Sequence, residues 1–131
     1  MSKKSARPRL AHSGAAAAFF APGFARMRRE ALRVAHLDAA RRLIGVRLCY
    51  SDRHDEIGFP LRTIIADALA LESSGIVLAH NHPGGDPSPS RADINATRAL
   101  ADLAHPLGIR LHDHLIFARG DCRSLRALGL M

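Results

Sequence analysis

The sequence is poor in aromatic residues and in cysteine. Its 131 residues include no tryptophan and one tyrosine, so the chain is poorly supplied with the aromatic platforms on which single-strand-binding proteins stack bases. The two cysteines, Cys49 and Cys122, form no CxxC pair and lie far apart in the sequence. They are interpreted as ordinary buried or half-buried thiols, which is consistent with a reducing cytoplasm.

The sequence also lacks any apolar run that approaches the length of a transmembrane helix. The segment 14–21, GAAAAFFA, follows a basic start and resembles a signal peptide in that respect. However, the run is short, consists mostly of alanine and is halted by Pro22-Gly23, so it is interpreted as the first helix of the domain. We therefore expect a cytoplasmic protein that does not contact a membrane.

The length and the charge of the chain limit its class. A chain of 131 residues with 47% hydrophobic content suits one compact domain, which we place at 13–131 after a disordered basic tail at 1–12. The net charge of +7 can favour nucleic acid or another acidic partner. Arginine supplies most of that charge and is scattered along the chain, which also fits a solvated basic surface. DNA is therefore kept as a candidate partner.

The most informative stretch is the one that ends in a pair of histidines. Residues 76–79 are apolar and partly β-branched, which predicts a short buried strand, and they lead directly into His80-Asn81-His82. Because side chains alternate between the faces of a strand, His80 and His82 point the same way and Asn81 points the other way. A strand end of this kind offers two nitrogen ligands to one metal ion.

An acidic residue follows at metal-site spacing. Ser90-Arg91-Ala92-Asp93 has the form of a capping box, which places Asp93 in the first turn of a helix. Brought against the strand end, this carboxylate completes a set of two histidines and one aspartate with an open fourth position, as in a catalytic zinc site. Either motif alone also fits solvated histidines or a simple helix cap. Together they predict a zinc site formed by His80, His82 and Asp93.

The remaining pattern predicts an α/β (α+β) fold with a mixed sheet and flanking helices. Three further segments read as strands, at 31–37, 43–50 and 109–118. Four segments read as helices, at 13–20, after Pro60 up to Gly75, at 90–104 and at 124–128.

The run HNHPGGDPSPSRADINATRAL, followed by LGIRLHDHLIFARG, resembles the RadC-like branch of the JAMM/MPN+ metallopeptidase superfamily. The resemblance covers about residue 30 to the end and includes the spacing HxH, seven residues, Ser, two residues, Asp. It implies an MPN/JAB, cytidine-deaminase-like architecture and a zinc-dependent hydrolase of peptide or isopeptide bonds, with a link to DNA repair. By resemblance, His80, His82 and Asp93 hold Zn²⁺, and Ser90 hydrogen-bonds the reacting oxygen.

The family pattern also has a catalytic glutamate on a strand well upstream of the HxH. Laid on that pattern without gaps, this chain has Arg47 where the acidic residue is expected. Glu56, in the loop before the second helix, is the nearest candidate for a replacement base, although it also fits a solvated loop carboxylate. Glu30 and Glu72 rank below Glu56.

The strand after the second long helix carries Asp113 and His114, where the family also tends to place an Asp-His pair. Asp113 is interpreted as an acceptor for a ring N–H of a zinc-bound histidine. The same residues are also compatible with an ordinary strand end.

Two functions stay open at this point. One is a zinc hydrolase of peptide or protein substrates, which the intact set of ligands favours. The other is a degenerate module without catalysis that binds DNA or a protein partner, which Arg47 favours. We expect the hydrolase.

Overall fold

The structure is a computed structural model that describes residues 7–50 and 59–131. In these residues the strands are β1 Ala31–Leu37, β2 Leu43–Tyr50, β3 Gly75–Asn81, β4 Arg110–Ala118 and β5 Asp121–Ser124. The helices are α1 Ser13–Phe24, α2 Leu61–Ala70 and α3 Arg91–Ala104, followed by a short 3-10 turn at His105–Leu107. In the described part of the chain, no helix combines the length and the apolar character needed to cross a membrane.

The five strands form one mixed sheet in the order β2-β1-β3-β4-β5. Strand β3 lies in the middle and runs parallel to β4, while the other neighbouring strands are antiparallel. Parallel neighbours need a crossover connection, and α3 provides it between β3 and β4. The predicted α/β class, with a mixed central sheet flanked by helices, is confirmed.

Each face of the sheet is covered by helices that bury residues four apart. Helix α1 buries Ala16, Phe20 and Phe24 against one face. Helix α3 buries Ala96, Leu100 and Ala104 against the other, beside Ile64 and Ala68 of α2. This spacing turns one stripe of each helix towards the sheet and produces a helix–sheet–helix arrangement.

Strand β3 is buried along all seven residues and alternates between the two cores. Ile76 and Leu78 belong to the core under α2 and α3, whereas Val77 and Ala79 belong to the core under α1. By the same alternation, His80 continues the row of Ile76 and Leu78. The last residues of the strand therefore present imidazole to α3.

The bounds of β1 and β2 are the predicted ones, and those of β4 and α3 differ from the prediction by one residue. The prediction of a helix at 124–128 is wrong. Strand β5 pairs with β4 across a tight turn at Arg119 and Gly120, both of which have positive φ. Such a turn matches the twist of a two-stranded hairpin. Arginine is not among the residues from which this type of turn is predicted, so the sequence gives little indication of it. Helix α1 also continues through Pro22 instead of ending before it.

The predicted tail is partly packed. Residues 1–6 lie outside the described part of the chain. Leu10, however, is 1% exposed in the core under α1, and its N–H donates to the carbonyl of Arg41. Arg9 forms a β-bridge with Arg42. Residues 7–12 are therefore bound to the β1–β2 turn, because a buried leucine and backbone hydrogen bonds hold them there.

We expect Leu10→Ala to lower the free energy of unfolding by about 2–5 kcal/mol, since it removes a buried side chain and leaves a cavity. Urea denaturation measures this change. The matched control is Leu128→Ala, because Leu128 is 49% exposed and its loss should change stability by less than about 0.5 kcal/mol. Equal midpoints for the two variants would mean that residues 7–12 do not contribute to the core.

Candidate metal centre

The centre of the site is the histidine pair at the end of β3. The His80 side chain is 6% exposed and that of His82 is 19% exposed. Their ring centroids are 4.7 Å apart and the rings are nearly perpendicular, at 89°. His82 Nδ1 is 2.8 Å from the carbonyl oxygen of Asp86, which orients its ring from the loop side. Nδ1 of His80 and Nε2 of His82 therefore face one small volume between β3 and α3.

Helix α3 delivers a carboxylate to this volume. Its capping box is formed: Ser90 Oγ accepts from the N–H of Asp93 at 3.0 Å, and Asp93 Oδ2 accepts from the N–H of Ser90 at 2.9 Å. Asp93 Oδ2 is also 3.2 Å from Nε2 of His82, and Oδ1 is 3.7 Å from Nδ1 of His80. The cap thus fixes the carboxylate against both histidines.

A second carboxylate approaches from the opposite side, and it belongs to Glu30. This residue directly precedes β1, and Leu32 of β1 lies opposite His80 in the antiparallel ladder. Glu30 Oε2 is 2.5 Å from Nε2 of His80. Its side chain is 43% exposed, so one side of the carboxylate faces solvent. Sequence reasoning places Glu30 below Glu56 and does not predict its contact with His80, because local patterns carry no signal for the pairing of β1 with β3.

The ungapped placement of Arg47 at the position of the catalytic acid is wrong in this structure. Arg47 lies on β2, opposite Val34, and its guanidinium forms a two-point ion pair with Asp67 of α2. Strand β1 separates it from β3. Glu56 lies outside the described residues, so its role as a replacement base stays a prediction. The described carboxylate next to His80 on the solvent side is that of Glu30.

Asn81 holds Glu30 in place through the two peptide groups that flank it. Its Oδ1 accepts from the N–H of Ala31 at 2.7 Å, and its Nδ2 donates to the carbonyl of Arg29 at 3.0 Å. The side-chain amide thus extends the β1–β3 ladder by one more pair of hydrogen bonds beyond Leu32 and His80. Sequence analysis predicted that Asn81 points away from the histidines but not what it binds.

A buried layer supports the site from below. The ring of His114, on β4, lies 5.7 Å from that of His80, and its Nδ1 is 2.8 Å from the hydroxyl of Thr97. The Thr97 hydroxyl is 2.6 Å from the carbonyl oxygen of Asp93 and donates to it. Burial lowers the pKa of His114, so its ring is neutral at pH 7. Thr97 and His114 therefore link α3 to β4 directly behind the ligand-bearing residues.

The interpretation of Asp113 as the acceptor for a zinc-bound histidine is wrong in this structure. Its carboxylate accepts hydrogen bonds from the hydroxyls of Ser13 and Ser124, both at 2.7 Å. It also caps the N–H of His114 at 2.7 Å. Neighbouring strand residues point to opposite faces, which is why His114 faces His80 and Asp113 does not.

The charges of the site stabilise one another. Although burial raises the pKa of Asp93, its hydrogen bonds with His82 and Ser90 outweigh burial and hold that pKa well below its usual range. The hydrogen bond with Asp93 raises the pKa of His82. The hydrogen bond with His80 lowers the pKa of Glu30. At neutral pH both carboxylates are therefore ionised, which suits the binding of a cation.

The donor set fits zinc. One ligand atom from each of Glu30, His80 and His82 lies within 4.8 Å of the others. Asp93, which the sequence predicts as a ligand, adjoins the same two histidines. In the part of the chain that the structure describes, the buried Nδ1 of His80 has no hydrogen-bond partner, and such an orphaned nitrogen is costly unless something binds it. Imidazole nitrogens and carboxylate oxygens are both ligands that zinc accepts.

The amino-acid sequence was compared with protein-family models and with known proteins. A family model described as the RadC-like JAB domain matches residues 10–130. A protein named "UPF0758 protein" from Rhodobacter capsulatus is 40% identical over 102 residues, which is 78% of this chain and 48% of that protein. The chain thus spans about half the length of this relative.

We expect Asn81→Ala to lower the free energy of unfolding by about 1–3 kcal/mol, because it removes the acceptor for the buried N–H of Ala31 and the amide donor to the carbonyl of Arg29. Asn81→Asp is the matched variant, since it keeps the acceptor for Ala31 and loses the donor to Arg29. Amide hydrogen exchange should therefore accelerate at Ala31 in Asn81→Ala but not in Asn81→Asp. Equal exchange in both variants would rule out the hydrogen bond from Ala31 to Asn81.

The metal-free protein should be most stable at mildly acidic pH. The lowered pKa values of Asp93 and Glu30 stabilise the fold above roughly pH 4, and this stabilisation is lost as the pH falls through the folded values. The raised pKa of His82 stabilises the fold below roughly pH 6.5, and this part is lost as the pH rises through the folded value. Urea midpoints measured with chelator from acidic to alkaline pH test this.

In the same experiment, His82→Ala should flatten the alkaline limb of the profile. Replacing His105, an exposed histidine at the end of α3, should leave that limb unchanged. If the limb persists in His82→Ala, another group is responsible for it.

Proposed function

The chain belongs to the RadC-like JAB domain family, which is related to metallohydrolases, and from this premise we propose that it is a zinc-dependent hydrolase of peptide or isopeptide bonds. The observation that carries the proposal is the arrangement around the imidazole pair. Asp93 contacts both histidines from α3, and Glu30 contacts His80 from the start of β1. Two carboxylates in different surroundings, on either side of a pair of nitrogen ligands, support separate roles for the two acids.

Burial distinguishes those roles. The Asp93 side chain is 10% exposed and is held by the Ser90 N–H and by His82, so it suits a fixed metal ligand beside His80 and His82. The Glu30 side chain is 43% exposed, so it can reach water or a substrate. Glu30 is therefore proposed as the general base, in place of the earlier candidate Glu56.

The chemistry of an amide hydrolase follows from these positions. His80, His82 and Asp93 would hold the zinc ion, which would supply Lewis acidity towards an amide carbonyl and towards water. Glu30 takes the proton from the attacking water and returns it to the departing amine. The Oγ of Ser90 accepts the N–H of Asp93, which leaves the hydroxyl proton available to the carbonyl oxygen as negative charge develops there.

The non-catalytic alternative loses the observation that favoured it. It depends on Arg47 standing in place of the catalytic acid, and Arg47 is paired with Asp67 on the far side of β1. Glu30 provides a carboxylate at the histidines instead. Peptide or protein is accordingly the proposed substrate class.

The metal content of the protein is the first test. Protein purified without chelator or metal-affinity resin should contain about one zinc per chain, measured by inductively coupled plasma mass spectrometry. His82→Ala and Asp93→Ala should each lose most of it. Even the residues that hydrogen-bond a metal ligand are commonly worth about tenfold to a hundredfold in metal affinity, and a direct ligand is worth more. A folded, unmutated protein that neither contains zinc nor takes it up on titration would refute the site.

The role of Glu30 requires a separate test. We expect Glu30→Gln to retain zinc and to lower hydrolysis by about 10²–10⁴-fold, as is typical when a positioned acid or base is removed. Hydrolysis is followed as new amino termini in a mixture of casein peptides and in an isopeptide-linked lysine peptide. Glu72→Gln is the control, because Glu72 is an exposed residue after α2.

Each outcome of that experiment assigns Glu30 differently. Loss of zinc in Glu30→Gln would make Glu30 a ligand and not the base. Retained zinc with unchanged hydrolysis would remove it from the mechanism. Absence of hydrolysis in the zinc-loaded, unmutated protein on every peptide would contradict the proposed peptidase activity.

A further inference from the structure

A second cavity lies at the end of the sheet opposite to the histidine site. It has a volume of about 260 Å³ and lies between the start of α1, the β1–β2 turn and the first half of β4. Gly75 pairs with Arg110 at that end, whereas His80 pairs with Ile116. Val77, which lines the cavity, lies three residues before His80 on β3, so about 10 Å of strand separate the two, and their side chains point to opposite faces of the sheet. It therefore belongs to a different site.

Cationic side chains dominate the lining, which includes Arg41, Arg110 and Arg126. Arg110 is exposed, and its side chain has no hydrogen bond or ion pair within residues 7–50 and 59–131. The Nε of Arg41 donates to the carbonyl of Leu10 at 2.8 Å. The Nε of Arg126 donates to the carbonyl of His112 at 2.5 Å. These bonds fix two guanidinium groups at the cavity, and none of the three is paired with a carboxylate of the described chain.

One carboxylate, that of Asp113, lines the cavity, and it is already engaged. It is 3% exposed and accepts from the hydroxyls of Ser13 and Ser124. It also accepts from the backbone N–H groups of His114 and Arg126, at 2.7 and 3.2 Å. Four hydrogen bonds occupy the lone pairs of its two oxygens. Asp113 therefore compensates part of the positive charge but does not pair with the guanidinium groups.

The uncompensated charge affects the neighbouring groups. Burial, together with the charges of Arg41, Arg110 and Arg126, lowers the pKa of His112 to about 4. His112 is therefore neutral at pH 7 and offers a hydrogen bond instead of a charge. Burial and the nearby arginines likewise lower the pKa of Arg41. An anion in the cavity would relieve this repulsion.

The start of α1 adds to the positive potential. His12 and Ser13, the N-cap and first residue of the helix, line the cavity, and the first turn of α1 contains no acidic residue. The N-terminal end of a helix carries a partial positive charge and free N–H groups. This contribution supports the arginines, which provide the main attraction.

We propose that this arginine cavity, formed by Arg41, Arg110, Arg126 and His112, binds a phosphate group, as a nucleic-acid backbone or a small phosphate compound would present it. Guanidinium groups match the oxygens of phosphate in charge and in geometry. The volume of about 260 Å³ lies just below the roughly 300–1,000 Å³ of pockets for drug-sized ligands, which suits a small group. Arg9, which forms a β-bridge with Arg42 and donates to the carbonyl of Ala40, adds positive charge close to Arg41 and would extend the positive surface towards a longer polyanion.

The experiment uses the full chain in the presence of chelator, so that it does not depend on the proposed zinc site. Three probes are titrated: inorganic phosphate, a 20-nucleotide single strand and a 20-base-pair DNA duplex. Phosphate is followed by the NMR signals of the His112 ring, and DNA by fluorescence anisotropy at several salt concentrations. We expect saturable binding of at least one probe, with a shift of the His112 signals.

Arg110→Ala is the decisive variant, because it keeps the backbone hydrogen bond to Ser74 and removes a side chain that has no hydrogen bond or ion pair in the described residues. It should weaken binding by about tenfold and, for DNA, reduce the slope of log affinity against log salt by about one. Arg41→Gly is the second variant, since Arg41 has a φ of 67° that glycine tolerates. The control is Arg62→Ala, which removes an equal charge from the exposed surface of α2 and should change affinity by less than about twofold.

The probes separate the sources of the phosphate. Binding of DNA with competition by phosphate assigns the cavity to a backbone phosphate, and binding of phosphate alone assigns it to a small compound. Equal losses in Arg110→Ala and Arg62→Ala would show a response to net charge alone and would overturn the proposal. The absence of binding for all three probes would overturn it as well.

Discussion

The antiparallel pairing of β1 with β3 is the constraint on which the histidine site depends. It sets Leu32 opposite His80 and Leu37 opposite Gly75, and so it brings the residue before β1, Glu30, to the end of β3. A slip of this pairing by one residue would turn the strand's side chains to the other face. The amide of Asn81 continues the ladder past its last backbone pair and keeps the approach of Glu30 in register.

The crossover between β3 and β4 determines the other half of the site. Parallel strands require a crossover connection, and here the chain passes from β3 through the loop 82–90 into α3, which leads back to the start of β4. Asp93 therefore serves two purposes in one position: it completes the cap of α3 and contacts both histidines. A carboxylate in the first turn of a helix is also favoured by the helix dipole.

Much of this could be predicted from short-range patterns. The histidine pair and the capping box lie within fourteen consecutive residues. Strand alternation and helix capping are therefore sufficient to predict that His80, His82 and Asp93 lie close together. Glu30 could not be found in this way, because it lies 50 residues from His80 and its position depends on the register between two strands. An ungapped comparison likewise carries no information on strand register, and it therefore places Arg47 at the site. Leu10 falls in the predicted tail because a single apolar residue in a basic segment shows no periodicity.

The distances along the chain also affect how the molecule folds. Ser13 and Asp113, which share a hydrogen bond, are 100 residues apart, and the sheet places β1 beside β3, which comes from the middle of the chain. Contacts of such long range require large loops to close before they stabilise anything, which slows folding. The two carboxylates and two imidazoles of the site come from residues 30 to 93, so a partly synthesised chain that ends before α3 would hold an incomplete set.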